Sequence, residues 1–144
     1  MPLKAPYSHR EMMNKAHGEM EIVLEGNIVH TYPQGAFNGE GIKKFRQKIL
    51  EKAPRNKPWI LFEHPMNEAE ITPEALIELE KTFLACEENG CFAIVQESSL
   101  VYGIVVQIYA LGLLNIPSMV SKDRDELLRF IQRKEQQCLS QLPV

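Results

Sequence analysis

The residues of this chain best suited to chemistry fall in three short stretches. Glu63, His64, Asn67, Glu68, Glu70 and Thr72 form the first, Gln96, Glu97, Ser98 and Ser99 the second, Ser121 and Lys122 the third. Carboxylates beside an imidazole can move protons or hold a metal. A metal site would use His64 with Glu63, Glu68, Glu70 or Glu97, but that spacing matches no established ligand pattern. A serine hydrolase would need a nucleophile elbow of the form G-x-S-x-G, and the chain contains none. Gly39 and Gly41 make a G-x-G pair without the third glycine of a dinucleotide fingerprint. His30 falls in a predicted strand, where a structural or surface role is expected. No catalytic residue, metal or cofactor is therefore assigned. An acid–base enzyme built on Glu63, His64 or Glu97 is the third reading, after the two given below.

Composition narrows the field. The chain has 144 residues, 16 Lys+Arg and 19 Asp+Glu, for a net charge of −3. That balance offers no electrostatic footprint for nucleic acid or an anionic membrane. Basic residues gather on two predicted helices: Lys43, Lys44, Arg46, Lys48 and Lys52 on one, Arg124, Arg129, Arg133 and Lys134 on the other. Glutamates share both, so these read as solvated, salt-laced faces. Of the three cysteines, Cys86 and Cys91 flank a predicted Asn89-Gly90 turn and Cys138 lies in the tail. No second Cys pair or nearby histidine completes a zinc site, so they read as reduced thiols of a cytoplasmic protein. The start Met-Pro-Leu-Lys lacks the apolar core of a signal peptide. The longest uncharged run, Ser98 to Pro117, is interrupted by Gly103, Gln107 and Gly112 and stops at Asn115. It is expected to be a buried or partner-facing helix and not a membrane span.

The elements that must position these groups follow in order. Residues 1–17 are a polar lead, in which Ser8-His9-Arg10-Glu11 fits a capping box for a short helix through Lys15. Glu19 to Glu25 reads as a strand with Met20 and Val23 among its apolar positions. Gly26-Asn27 suits a type II′ hairpin turn into Ile28–Tyr32. Pro33 to Gly35 is expected to end that strand, because proline cannot donate to the ladder. Asn38 caps a helix from about Gly39 to Ala53, with Ile42, Phe45 and Ile49 on one face. Trp59–Phe62 is a short apolar run suited to a central strand covered on both faces. Thr72-Pro73-Glu74 opens a helix with a capping hydroxyl, proline at the first position and an acid in the first turn. Leu76, Leu79 and Phe83 mark its buried face, and Gly90 its left-handed end. Cys91–Val95 is the next buried strand and Ile116–Val120 the last. Asp123-Arg124-Asp125-Glu126 reads as a capping box for a final helix with Leu127, Phe130 and Ile131 inward.

The order is β-β-α-β-α-β-α-β-α. The fold class is α/β, a mixed β-sheet with an antiparallel N-terminal β-hairpin followed by β-α repeats with parallel strands. Residues 18–136 form one domain and 137–144 a tail. Loops after parallel strands share one edge of the sheet, so the three polar stretches meet there, beside helix N-termini at Thr72 and Ser98. Between them, Val101, Ile104, Val105, Ile108, Leu111 and Leu114 cover one broad helical face, while Tyr102, Val106, Tyr109 and Leu113 cover much of the rest. That is more apolar surface than one sheet face buries. Either the helix is wedged into the core, or Tyr102, Val106, Tyr109 and Leu113 face a partner such as another copy of the chain, or a lipid-like ligand.

Three segments carry a resemblance: WILFEHPMNEAEITPEAL, CFAIVQESSLVYGIVVQIYALG and IPSMVSKDRDELLRFI. With the leading hairpin they resemble the STAS domain, the fold of anti-sigma-factor antagonists and sulphate-transporter tails, and more closely its SpoIIAA-like branch of small bacterial proteins. In such antagonists a central strand leads to an Asp-Ser-Ser-Gly turn, where a kinase phosphorylates a serine. The matching place here is Ile71-Thr72-Pro73-Glu74. Thr72 is its only hydroxyl, and a phosphate there would sit at a helix N-terminus. Pro73 and Glu74 depart from the motif and Glu74 would repel the phosphate, so Thr72 is read first as a helix cap and second as a phospho-switch. The same branch is similar to the lipid-binding CRAL-TRIO fold in a cut-down form.

The resemblance implies a non-enzymatic regulatory or protein-interaction module. Its expected surface is Asn67, Glu70, Thr72 and Glu74 with Tyr102, Val106 and Tyr109. Its expected partner is a protein, either a regulatory kinase or a second copy forming a homodimer. The alternative is a small domain that binds an apolar or anionic, lipid-like ligand.

Overall fold

The computed structural model describes residues 15–65, 70–98, 111–112 and 114–140. Strand β1 (Glu19–Glu25) and strand β2 (Ile28–Gln34) form the expected hairpin. Gly26 takes φ +62° at the turn, and no described non-glycine residue has a positive φ. That is the type II′ pattern, with glycine alone in the left-handed region.

Two details of the hairpin differ from the sequence reading. Strand β2 continues through Pro33 instead of ending there. Thr31 accepts from the His64 amide at 2.7 Å, on the side of strand β4 (Trp59–Glu63). Pro33 points the same way, beyond the last β4 residue paired with β2. Its missing N–H therefore breaks no ladder bond. On β1 the inward positions are Met20 and Ile22, while Val23 is 40% exposed. The strict alternation of a strand puts Val23 on the opposite face from its two neighbours.

Helix starts and stops follow local bonds. Asn38 Oδ1 accepts from Gly41 N at 2.9 Å and opens helix α1 (Gly39–Lys52). Thr72 Oγ1 accepts from Ala75 N at 3.1 Å and opens helix α2 (Pro73–Glu88), with Pro73 in the first turn. Gly90, φ +96°, follows the Asn89 C-cap as expected. Helix α3 (Arg124–Ser140) begins with Asp123 Oδ1 accepting from Asp125 N at 3.0 Å. The reciprocal half of the expected capping box does not form. Asp123 N donates to Ser121 Oγ at 3.0 Å, and Ser121 Oγ donates to Glu126 at 3.0 Å. The serine hydroxyl stands between the two groups that the motif would join directly.

The main sheet has the order β1-β2-β4-β6-β7, with β6 spanning Cys91–Glu97 and β7 Ser118–Ser121. Among the described residues only the β1–β2 pair is antiparallel. A second sheet joins β3 (Ala36–Phe37) to β5 (Glu70–Ile71) in parallel. These two-residue strands are too short to leave a sequence pattern. Thr72 N extends the pair by donating to Phe37 O at 3.1 Å.

Two helical layers cover the main sheet. Helices α1 and α2 pack Ile42, Ile49, Leu79 and Phe83 against Val29, Leu61 and Ile94. Helix α3 packs Leu127, Phe130 and Ile131 against Ile60, Phe62, Ala93 and Val95. All of β4 is buried for that reason. Arg46 ties α1 to α2 through a 2.9 Å ion pair with Glu78. Leu111 is buried against the first layer and Leu114 packs beside it. The rest of the expected apolar helix, like the short helix from Ser8, falls outside the described residues. Among those described, no helix is long and apolar enough to cross a membrane. Cys86 and Cys91 are free and buried.

Candidate functional site

The carboxyl ends of β2, β4 and β6 bring together polar side chains that lie far apart in the chain. Register places Thr31 beside Glu63 and Glu63 beside Gln96. Partners in register point to one face, so the three side chains form a row on the α1/α2 side of the sheet. Thr31 and Gln96 are 0% exposed and Glu63 is 2% exposed. Gln96 Nε2 donates to Glu63 Oε2 at 3.2 Å. Among the described residues, Thr31 Oγ1, Glu63 Oε1 and Gln96 Oε1 find no hydrogen-bond partner. Burial raises the Glu63 carboxyl to about 8, so it is largely protonated at neutral pH.

The opposite face of the same strands carries a second cluster. His30 Nδ1 and His64 Nε2 are 2.9 Å apart, a hydrogen bond between imidazoles. His64 Nδ1 stands 3.5 Å from Glu97 Oε2. That is a polar contact, long for a hydrogen bond, and the buried Nδ1 has no hydrogen-bond partner among the described residues. Glu97 in turn accepts two bonds from Arg124, at 2.9 Å and 3.2 Å. Glu25 lies 3.8 Å from His30 Nε2. The rings of Tyr32, His64, Phe62 and His30 stack, Phe62 and His64 with centroids 4.1 Å apart.

Burial lowers both imidazoles, His64 to about 4 with the neighbouring His30 adding to the effect, and Glu97 opposes it. Both rings are neutral at pH 7, so one proton lies between them. Glu97 favours that His64 carries its proton on Nδ1, which leaves His64 Nε2 to accept from His30 Nδ1–H. The cluster is a line of groups satisfied mainly by one another: Glu25, His30, His64, Glu97, Arg124. Facing nitrogens at 2.9 Å leave no room for a metal between them. Among the described residues, no three His, Cys, Asp or Glu side chains are placed to hold an ion.

The site residues expected from sequence are distributed unevenly. Thr72 caps α2, and its side chain is exposed at that helix end. Glu74 is exposed in the first turn of α2, and Glu70 pairs with Ala36 in the small sheet. Asn67, Tyr102, Val106 and Tyr109 lie outside the described residues. Sequence reasoning missed Thr31, Tyr32 and Arg124, and left His30 as a strand residue. The His30/Tyr32 alternation was a visible signal, but only the placement of β2 beside β4 makes it meaningful.

No family model and no curated protein matches the chain. Among solved structures it is similar to an uncharacterized protein of the DUF3478 family from Shewanella loihica, described as having a SpoIIAA-like fold. The two share 10% identity over 81% of this chain and 95% of the other, with a TM-score of 0.57. A likeness at that identity concerns architecture: this chain has the SpoIIAA-like fold that its sequence resembles.

Proposed function

We propose that the protein is a non-enzymatic regulatory module that docks a protein partner through the carboxyl end of its parallel strands. The observation that carries this reading is how the proton-carrying groups there are spent. His64 is bonded to His30, and Glu97 is held by Nε and Nη2 of Arg124. Because these groups bond to one another, their hydrogen-bonding capacity goes to holding the shape of this edge. What the edge does present is exposed charge: Glu74, and Arg124, whose side chain is 64% exposed. Thr72 supports the same reading, as an exposed hydroxyl at a helix N-terminus.

The test is affinity capture from the native host, repeated with edge and control variants. Wild type and the opposite-end variant Arg55→Glu should retain the same identified protein. The double variant Glu74→Lys/Arg124→Glu should lose it. Equal retention by all three, or no protein enriched over an unrelated bait, refutes the reading.

The buried row supports a second reading, in which the same edge holds a small ligand. Three polar atoms without partners are costly to keep, at about 1–3 kcal/mol each. A bound molecule would offset that cost. Native mass spectrometry of freshly purified protein should then show an added mass, and a clean apo mass would count against it.

A further inference from the structure

The outer edge of the sheet offers a second surface, independent of the carboxyl end. Strand β1 is the terminal strand, and its outward backbone groups pair with no described strand. Such an edge is a template for another strand. Its two faces differ sharply. Glu19, Glu21 and Glu25 lie on one face with Val23, all four exposed. Met20, Ile22 and Leu24 lie on the other, and Leu24 is 41% exposed. Beside that apolar face runs an open groove of about 420 Å³, lined by Met20, Ile22, Lys48, Glu51 and Lys52. It meets a second groove of about 600 Å³ at Met20 and Lys48.

We infer that β1 accepts an added strand from a partner, one with basic side chains on one face and apolar side chains on the other. A second copy of this chain is the wrong occupant. An antiparallel pairing of β1 with itself sets Glu19 against Glu25, Glu21 against itself, or Glu21 against Glu25. Like charges directly opposite are destabilising. Lysine or arginine at the same positions meets a glutamate each time. On the groove side Lys48 and Lys52 outnumber Glu51 and disfavour a further cation, while Met20, Ile22 and Leu24 suit an apolar residue. Alternation in the partner therefore follows from alternation in β1.

The probe is a short fluorescent peptide of alternating lysine and valine, titrated into the full chain at low salt and followed by anisotropy. Two control peptides replace lysine by glutamate, or block one backbone edge by N-methylation. The lysine peptide should bind, and both controls should bind at least about tenfold more weakly. The double variant Glu19→Lys/Glu21→Lys changes exposed residues only, and should reverse the preference so that the glutamate peptide binds better. Equal binding of the N-methylated peptide would show charge attraction without strand addition and overturn the inference. So would an unchanged preference in the double variant, absence of binding by the lysine peptide, or a wild-type dimer that the double variant abolishes. None of these outcomes bears on the carboxyl-end reading, whose variants lie elsewhere.

Discussion

Replacing Glu63 by glutamine should change how stability depends on pH more than any other single substitution at this site. The wild-type carboxyl is buried, accepts one bond from Gln96, and has its second oxygen without a partner among the described residues. Burial raises it from 4.5 to about 8. A raised folded value means that the native state holds the proton more tightly than the unfolded chain. The associated stability is fully present below 4.5 and is lost as pH climbs through 8. Linkage over that shift gives a loss of up to about 3 kcal/mol between roughly pH 5 and pH 7.5. That is a large share of the ~5–15 kcal/mol typical of a domain. Glutamine keeps the shape and can still accept from Gln96, but does not ionise. Urea unfolding of wild type and Glu63→Gln at both pH values isolates the effect, because contributions from other titrating groups cancel in the difference. The variant should gain on wild type by up to about 3 kcal/mol as pH rises. A difference that stays flat with pH would refute the claim that Glu63 is sealed from water in its neutral form.

Other substitutions test the remaining parts of the argument. His64→Phe should reduce acid sensitivity: a lowered imidazole confers stability that is present above 6.5 and lost as pH falls toward 4, so wild-type melting temperature should drop over that window more than the variant's. Thr72→Ala should cost about 1 kcal/mol of unfolding free energy through loss of the cap, while Thr72→Ser should cost far less. In native protein a thiol reagent should label Cys138 first, because it is partly exposed; Cys86 and Cys91 are buried, and burial pushes Cys91 up to about 12, so both should react only on unfolding.

The short-range features of this fold were legible in its sequence. Asn38, Thr72-Pro73, Gly90 and the Gly26-Asn27 turn act through bonds or dihedral angles that reach only a few residues, so residue type and spacing are enough to place them. Trp59–Phe62 announced a central strand because only burial on both faces tolerates an unbroken apolar run. The candidate site was legible only in part. His30 and His64 are 34 residues apart, and Glu63 and Gln96 are 33 apart. Nothing local joins them. They meet because β4 lies between β2 and β6, and because register then decides which side chains share a face.

The chain by itself determined the rhythm of strands and helices, where most of them start, and which end of the sheet would gather polar groups. Tertiary structure alone decided that Thr31, Glu63 and Gln96 are sealed inside, that the imidazoles bond to each other, and that Pro33 can sit inside a strand. Burial, proton affinity and ladder pairing are set by neighbours distant in sequence. Periodicity and spacing describe a segment, whereas these properties belong to the contacts between segments.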